Sequence, residues 1–167
     1  MKIMIFPRTI TERLHKTVKA FAAIVMTGPR QSGKTTLLRR EFGSTHQYIN
    51  LENPDVQSRA IADPIGFLDN IHKPVIIDEI QYAPILLPYI KEKIDNNRTP
   101  GRWLLTGSQN FSLMKGVTES LAGRAAILTL LPLSLSERQN NGKNSKDIHT
   151  LFSQPQQQLS QQKSIVL

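Results

Sequence analysis

The chain has 167 residues and a mass of 18.8 kDa, which is the size of one ordinary domain. It contains no cysteine, so disulfides, thiolate metal sites and cysteine nucleophiles are excluded. Its longest apolar run, residues 21–26, is too short to cross a bilayer, and no apolar signal peptide opens the chain. We therefore expect a cytoplasmic protein with no membrane segment.

The net charge of +8 is concentrated near the N-terminus. Residues 1–40 hold nine Lys and Arg against Glu12 alone, whereas residues 41–167 are neutral in sum. A basic segment of this kind attracts nucleotide phosphates, DNA or an acidic protein surface. For Arg13, Lys16 and Lys19 the alternative is a solvated helix face.

The first predicted element is a basic N-terminal helix within residues 1–22. Thr9 and Glu12 have the spacing of a capping box, with Thr9 as the N-cap. The apolar positions that follow recur at helical spacing and predict one buried face: Ile10, Leu14, Val18 and Phe21.

Short apolar runs then alternate with helical patterns over residues 23–136. Five β-branched or apolar runs predict buried strands, and the segments between them carry helical periodicity. This order predicts an α/β fold, a three-layer sandwich whose five-stranded sheet is mostly parallel. The predicted strands are 22–27, 47–51, 75–77, 103–106 and 125–130, and the predicted helices are 33–42, 64–71, 84–96 and 110–121.

The composition changes near residue 137. Residues 137–167 are rich in Gln, Asn and Ser, a composition that cannot bury a core. We therefore expect a flexible tail from residue 137 onward.

A phosphate-binding motif occupies the turn between the first strand and the next helix. Residues 28–35 (GPRQSGKT) match the P-loop pattern GxxxxGK[ST]. The glycines allow main-chain N–H groups to surround the phosphates, Lys34 supplies a charge between β- and γ-phosphate, and the Thr35 hydroxyl completes a Mg²⁺ shell. The predicted nucleotide contacts are Gly28, Pro29, Arg30, Gln31, Ser32, Gly33, Lys34, Thr35 and Thr36.

An acidic pair follows the third strand. Asp78 stands where a carboxylate holds Mg²⁺ through water, and Glu79 is placed to deprotonate the attacking water. The alternative is a solvated strand end. The pair predicts ATP hydrolysis with Mg²⁺, and no guanine-specificity motif [NT]KxD is present.

Three further residues are candidates for the γ-phosphate. Thr106 and Ser108 end the fourth strand, and we favour Ser108, although it is equally suited to cap the next helix. Arg124 is a candidate arginine finger, in its own chain or in a homo-oligomer, or a structural salt bridge.

Together these motifs resemble the prokaryotic AAA-domain ATPases of the archaeal-ATPase-like type. The resemblance rests on residues 28–38 (GPRQSGKTTLL), 48–52 (YINLE), 77–81 (IDEIQ), 105–109 (LTGSQ) and 120–124 (SLAGR). It implies an ATP-binding protein whose sheet has an additional strand between the P-loop strand and the acidic strand.

The end of the chain departs from that family. Its members usually continue into a second domain with winged-helix-like and nuclease-like elements, whereas a Gln-rich segment follows here. We therefore expect a truncated or frame-disrupted product. The alternatives to an ATPase are a nucleotide-binding remnant without turnover that serves as an interaction module, or an ATP-regulated protein that binds DNA through residues 1–40.

Overall fold

The computed structural model describes residues 6–108 and 111–139, with the side chains of 111–114 excepted. Its strands are β1 (Ala23–Gly28), β2 (Gln47–Asn50), β3 (Val75–Asp78), β4 (Trp103–Ser108) and β5 (Ala125–Thr129). They form one five-stranded sheet in the order β2-β3-β4-β1-β5, and every pair of neighbouring strands is parallel.

Strand β4 lies between β1, which leads into the P-loop, and β3, which carries the acidic pair. Its residue Leu105 lies opposite Val25 on one side and Ile77 on the other. The additional-strand arrangement implied by the family resemblance is therefore present.

Helices cover both faces of the sheet and complete the predicted α/β sandwich. Successive residues of β1 point to opposite faces, so Ile24 and Met26 join one core while Ala23 and Val25 join the other. The helices are α1 (Thr11–Ala20), α2 (Lys34–Phe42), α3 (Pro54–Ala62), α4 (Pro64–Asp69), α5 (Leu86–Asn96), α6 (Phe111–Leu121) and α7 (Leu135–Gln139). Helices α1 and α2 cover the core that contains Ile24 and Met26, and α3 to α6 cover the other core.

The predicted capping box at the first helix is wrong. Helix α1 begins one residue later than predicted, and its N-cap Ile10 makes no side-chain cap. Thr9 instead donates to Glu137, and Glu12 pairs with Lys16. Thr9 therefore bonds to the carboxylate of Glu137, which is distant in sequence, instead of capping the helix. Phe21, predicted on the buried stripe, lies beyond the helix and is exposed.

Other differences concern element number and boundaries. Helix α3 and a 3-10 helix (Ile80–Tyr82) were not predicted, and β4 extends two residues further, to Ser108. Helix α7 crosses the predicted start of the tail at 137, so regular structure reaches at least residue 139. The rest of the predicted tail, residues 140–167, lies outside the described residues.

No helix within the described ranges combines the length and the apolar character that a bilayer crossing requires.

Candidate functional site

Because all five strands are parallel, their carboxyl ends meet at one edge of the sheet, where α/β proteins bind ligands. Gly28, Asp78 and Ser108 are the last residues of β1, β3 and β4. Gly28 lies directly opposite Ser108 in the sheet register. The structure thus brings the P-loop, the acidic strand and the Ser108 candidate to the same edge.

The P-loop backbone adopts conformations that glycine favours. Gly28 has φ of +148°, and a Cβ there would lie 2.1 Å from the main-chain oxygen of Leu130. Gln31 and Gly33 also have positive φ, at 62° and 93°. Helix α2 starts at the next residue, Lys34, so its first N–H groups have no partner within the helix and are available to an anion.

Lys34 is buried and lies over the loop. Its Nζ donates to the main-chain oxygens of Gly28, at 3.1 Å, and Pro29, at 3.0 Å. The Ser32 hydroxyl is buried with no hydrogen-bond partner among the described residues. A positive charge and an unsatisfied hydroxyl therefore lie in one loop, which suits a phosphate oxygen.

Asp78 and Thr35, the two predicted metal residues, are in direct contact. The Thr35 hydroxyl donates to both carboxylate oxygens of Asp78, at 2.8 and 3.0 Å. Asp78 is 5% exposed and also accepts from the hydroxyls of Tyr48, at 2.8 Å, and Thr106. Three hydroxyls thus hold this carboxylate in one orientation.

Thr106 rather than Ser108 contacts the acidic pair. Its fully buried hydroxyl donates to Asp78 and accepts from the main-chain N–H of Glu79 at 3.0 Å. Thr106 was the less favoured of the two sequence candidates. Ser108 is half-buried at the end of the strand, beside Gly28.

Glu79 is positioned by its backbone. Its φ of 58° is unusual for a residue with a side chain and occurs where β3 turns into the 3-10 helix. Its half-buried carboxylate accepts a hydrogen bond from the Gln81 amide. The turn therefore directs Glu79 differently from Asp78, although the two are consecutive.

Arg124 is not brought to this edge. It precedes β5, and its main-chain oxygen accepts from Ala23 N at the amino end of β1. The length of β1, about 17 Å, separates it from the P-loop of its own chain. Its guanidinium forms two hydrogen bonds to Asp95, at 2.5 and 2.9 Å. That contact lowers the pKa of the Asp95 carboxyl and raises the pKa of Arg124.

Two residues at the site were not assigned a role from sequence. Tyr48 reaches Asp78 from β2, and burial together with that carboxylate raises the pKa of its hydroxyl, which therefore remains a donor. Arg8 donates from Nη1 to the main-chain oxygen of Ser32 at 2.8 Å. Tyr48 belongs to a recognised motif, but no local signal marks Arg8.

The basic N-terminal segment divides into two groups. Arg8, Lys34 and Arg40 lie at or beside the loop, whereas Arg13 and Lys19 project from the exposed face of α1. Part of the concentrated charge therefore belongs to the candidate site itself.

A cavity of about 330 Å³ adjoins the outer side of the P-loop. Phe6, Pro132 and Leu133 give it apolar walls, while Arg8 and Arg40 add charge. The loop and the first turn of α2 complete the lining with Gln31, Ser32, Gly33, Thr36 and Leu37.

Comparison with known proteins agrees with this geometry. Residues 20–139 match the sequence profile of the AAA domain. The chain is 34% identical over 136 residues to the uncharacterized proteins Mb2031c of Mycobacterium bovis and Rv2008c of Mycobacterium tuberculosis. The match covers 81% of this chain and 31% of each mycobacterial protein, so the chain spans about a third of their length.

Among solved structures, the Walker-type ATPase PABY2304 of Pyrococcus abyssi has a similar fold. Its TM-score is 0.55 at 19% sequence identity, and the alignment covers 80% of this chain and 55% of the archaeal one. At that identity the likeness concerns the fold. Since the AAA profile covers more than half of the chain, this protein belongs to the AAA-domain family of nucleotide-binding P-loop proteins.

Proposed function

We propose that this domain binds ATP with Mg²⁺ and hydrolyses the bond between the β- and γ-phosphates. The observation that carries the proposal is the hydrogen bond between Thr35 and Asp78, which joins the P-loop to the acidic strand. A P-loop that only bound an anion would need no buried carboxylate at this position. The pairing instead suits a phosphate group accompanied by a cation.

The loop supplies the phosphate contacts. Lys34 would exchange its bonds to two loop carbonyls for bonds to phosphate oxygens, and the Ser32 hydroxyl would gain the partner that it lacks among the described residues. The N-terminus of α2 adds its unpaired N–H groups. Because these donors come from several parts of the loop, they can contact several oxygens at once. They therefore favour a polyphosphate over a single carboxylate.

The residues present also fit Mg²⁺. Thr35 and Asp78 offer a hydroxyl and a carboxylate, the oxygen ligands that this ion prefers. The described residues contain no group of three or more His, Cys, Asp or Glu able to hold a metal, so phosphate and water oxygens would complete the shell. When bound, the ion neutralises charge that develops on the phosphates.

Glu79 is the proposed general base. It follows the metal residue directly, and its carboxylate accepts from Gln81 instead of from the three hydroxyls that hold Asp78. The Asp78 carboxylate is therefore held in one orientation by its hydrogen bonds. The Glu79 carboxylate has an uncharged amide as its neighbour and can accept a proton from water.

The cavity beside the loop is the proposed site for the nucleoside. It adjoins Gly33 and Thr36, so a nucleotide held by the loop would extend its base toward the apolar walls formed by Phe6 and Leu133. A cavity of about 330 Å³ falls at the lower end of the usual range for small-molecule sites.

The test is phosphate release by the purified chain, with Mg²⁺ and with excess EDTA, alongside binding of a fluorescent ATP analogue. Glu79→Gln should retain the affinity and lose turnover by about a hundredfold or more, within the range for loss of a general base. Glu119→Gln, an exposed glutamate on α6, is the matched control. Unchanged release by Glu79→Gln would remove Glu79 from that role.

A wild-type chain that binds the analogue without releasing phosphate would contradict the hydrolase proposal. It would instead favour a nucleotide-binding module without turnover. A cysteine-free composition makes the reducing cytoplasm the proposed setting for either activity.

A further inference from the structure

The two ends of the described chain meet beside the P-loop, at the side chain of Arg8. The Arg8 side chain, only 8% exposed, makes three contacts through its guanidinium. Nη1 donates to Ser32 O in the loop at 2.8 Å, Nη2 donates to Leu131 O, and Nε donates to the Glu137 carboxylate at 3.2 Å. Arg8 therefore joins the loop to the segment that leaves the sheet after β5.

Glu137 holds Arg8 in that position. Its side chain is 6% exposed, and its oxygens accept from Thr9 N at 2.9 Å, Thr9 Oγ1 at 3.1 Å and Ser134 N at 2.9 Å, in addition to Arg8. Burial opposes its ionisation, but the N–H groups of Ser134 and Thr9 and the Arg8 guanidinium prevail and lower the pKa of Glu137 to about 2. Glu137 is thus charged at every physiological pH.

Within the part of the chain that the structure describes, helix α7 has few other attachments to the domain. Of its five residues, Glu137 is the buried one, and Leu135 is 72% exposed. The short helix is therefore held mainly by the polar contacts of Glu137 and Ser134 rather than by apolar packing. Any movement of the loop at Ser32 would act on those contacts through Arg8.

We infer that Glu137 is a positioning residue for the nucleotide site, acting through Arg8 on the P-loop backbone at Ser32. The inference rests on the proposed nucleotide site. Because coupling between two sites is reciprocal, loading of the loop and ordering of residues 131–139 should stabilise each other. The segment that follows β5 would then report whether the site is filled.

The experiment compares wild-type protein with Glu137→Gln, which removes the charge at nearly constant volume. We expect Glu137→Gln to bind the fluorescent ATP analogue about tenfold more weakly, within the range of typical coupling between sites. In wild type, the analogue should increase hydrogen-exchange protection of residues 131–139, and in Glu137→Gln this increase should be lost. Asp95→Asn, which breaks the ion pair at the opposite end of the sheet, should behave as wild type.

A second variant guards against simple misfolding. Arg8→Lys retains a cation beside Glu137 but not the fork that bridges Glu137 and Ser32, so it should fold, keep α7 protected without nucleotide, and lose the nucleotide-dependent increase. Tight analogue binding by Glu137→Gln, equal to that of Asp95→Asn, would overturn the inference and leave the nucleotide site standing. Failure of wild type to bind the analogue would overturn both.

Discussion

The two ends of the sheet both carry a carboxylate with a hydrogen-bonded partner, but in different surroundings. At the carboxyl end, Asp78 is 5% exposed and accepts from three hydroxyls. At the amino end, Asp95 accepts from the guanidinium of Arg124 on a surface where its own side chain is 44% exposed. Water screens the second pair and is largely excluded from the first. A buried carboxylate whose partners among the described residues are neutral is available to a cation, whereas one already paired with Arg124 is not.

The comparison predicts that the largest effects come from the carboxyl end. Lys34→Ala removes the buried charge of the P-loop, and hydrogen bonds to charged groups are worth about 1.5–3 kcal/mol. We therefore expect the affinity for an ATP analogue to fall by at least tenfold, measured by titration. Lys19→Ala, an exposed lysine in the same basic segment, should bind as wild type. Retained affinity in Lys34→Ala would contradict the P-loop assignment.

The next largest effect should come from Thr106→Val. This nearly isosteric change deprives Asp78 of a donor and leaves the buried N–H of Glu79 without its acceptor. An unsatisfied buried group costs about 1–3 kcal/mol, so the free energy of unfolding should fall by that amount. Phosphate release should fall more than analogue affinity. Denaturant unfolding measures the first effect.

Thr129→Val, at the end of the edge strand β5, is the matched control for Thr106→Val. Its hydroxyl pairs with Thr27 at 3.3 Å and its residue is exposed. If both variants lose the same stability and activity, Thr106 has no special role in holding the acidic pair.

A smaller effect on the free energy of unfolding, confined to acidic pH, should come from Glu137→Gln. The pKa of Glu137 is about 2 in the folded protein against an ordinary value of 4.5. Since folding lowers this pKa, the stabilisation is complete above about pH 4.5 and is lost as the pH falls toward 2. Glu137→Gln should therefore flatten the dependence of unfolding free energy on pH within that window. A slope identical to wild type would show that Glu137 is not ionised in the contact described.

Much of the site at the carboxyl end of the sheet could be predicted because its sequence motifs are local. A strand, a GxxxxGK[ST] turn and a helix are adjacent in sequence, and Asp78 ends a β-branched run. The contacts of Tyr48 could not be predicted, since they depend on the register of β2 against β3. Arg8 and Glu137 lie 129 positions apart, and no periodic pattern connects them.

Arg124 shows a different limit. Its position before a parallel strand implies the amino end of the sheet, opposite the P-loop, whereas an arginine finger is expected from residue type alone. The end of the strand at which a residue lies is therefore better evidence for its place in the site than its residue type. The same rule places Ser108, which ends its strand, at the ligand edge.

The smallest expected effect is that of Arg124→Ala. The exposed pair with Asp95 contributes little to stability because water and salt screen it, and its distance from the P-loop removes it from the chemistry of its own chain. We expect unchanged turnover and no dependence of specific activity on protein concentration.

A neighbouring chain is the one arrangement that would give Arg124 a direct catalytic role. Arg124→Ala would then depress turnover far more than ATP affinity, because a finger acts on charge that develops in the transition state. Mixing it with Glu79→Gln would partly restore activity, since a site with intact Glu79 would borrow the neighbour's Arg124. Absence of both effects assigns Arg124 to the surface ion pair alone.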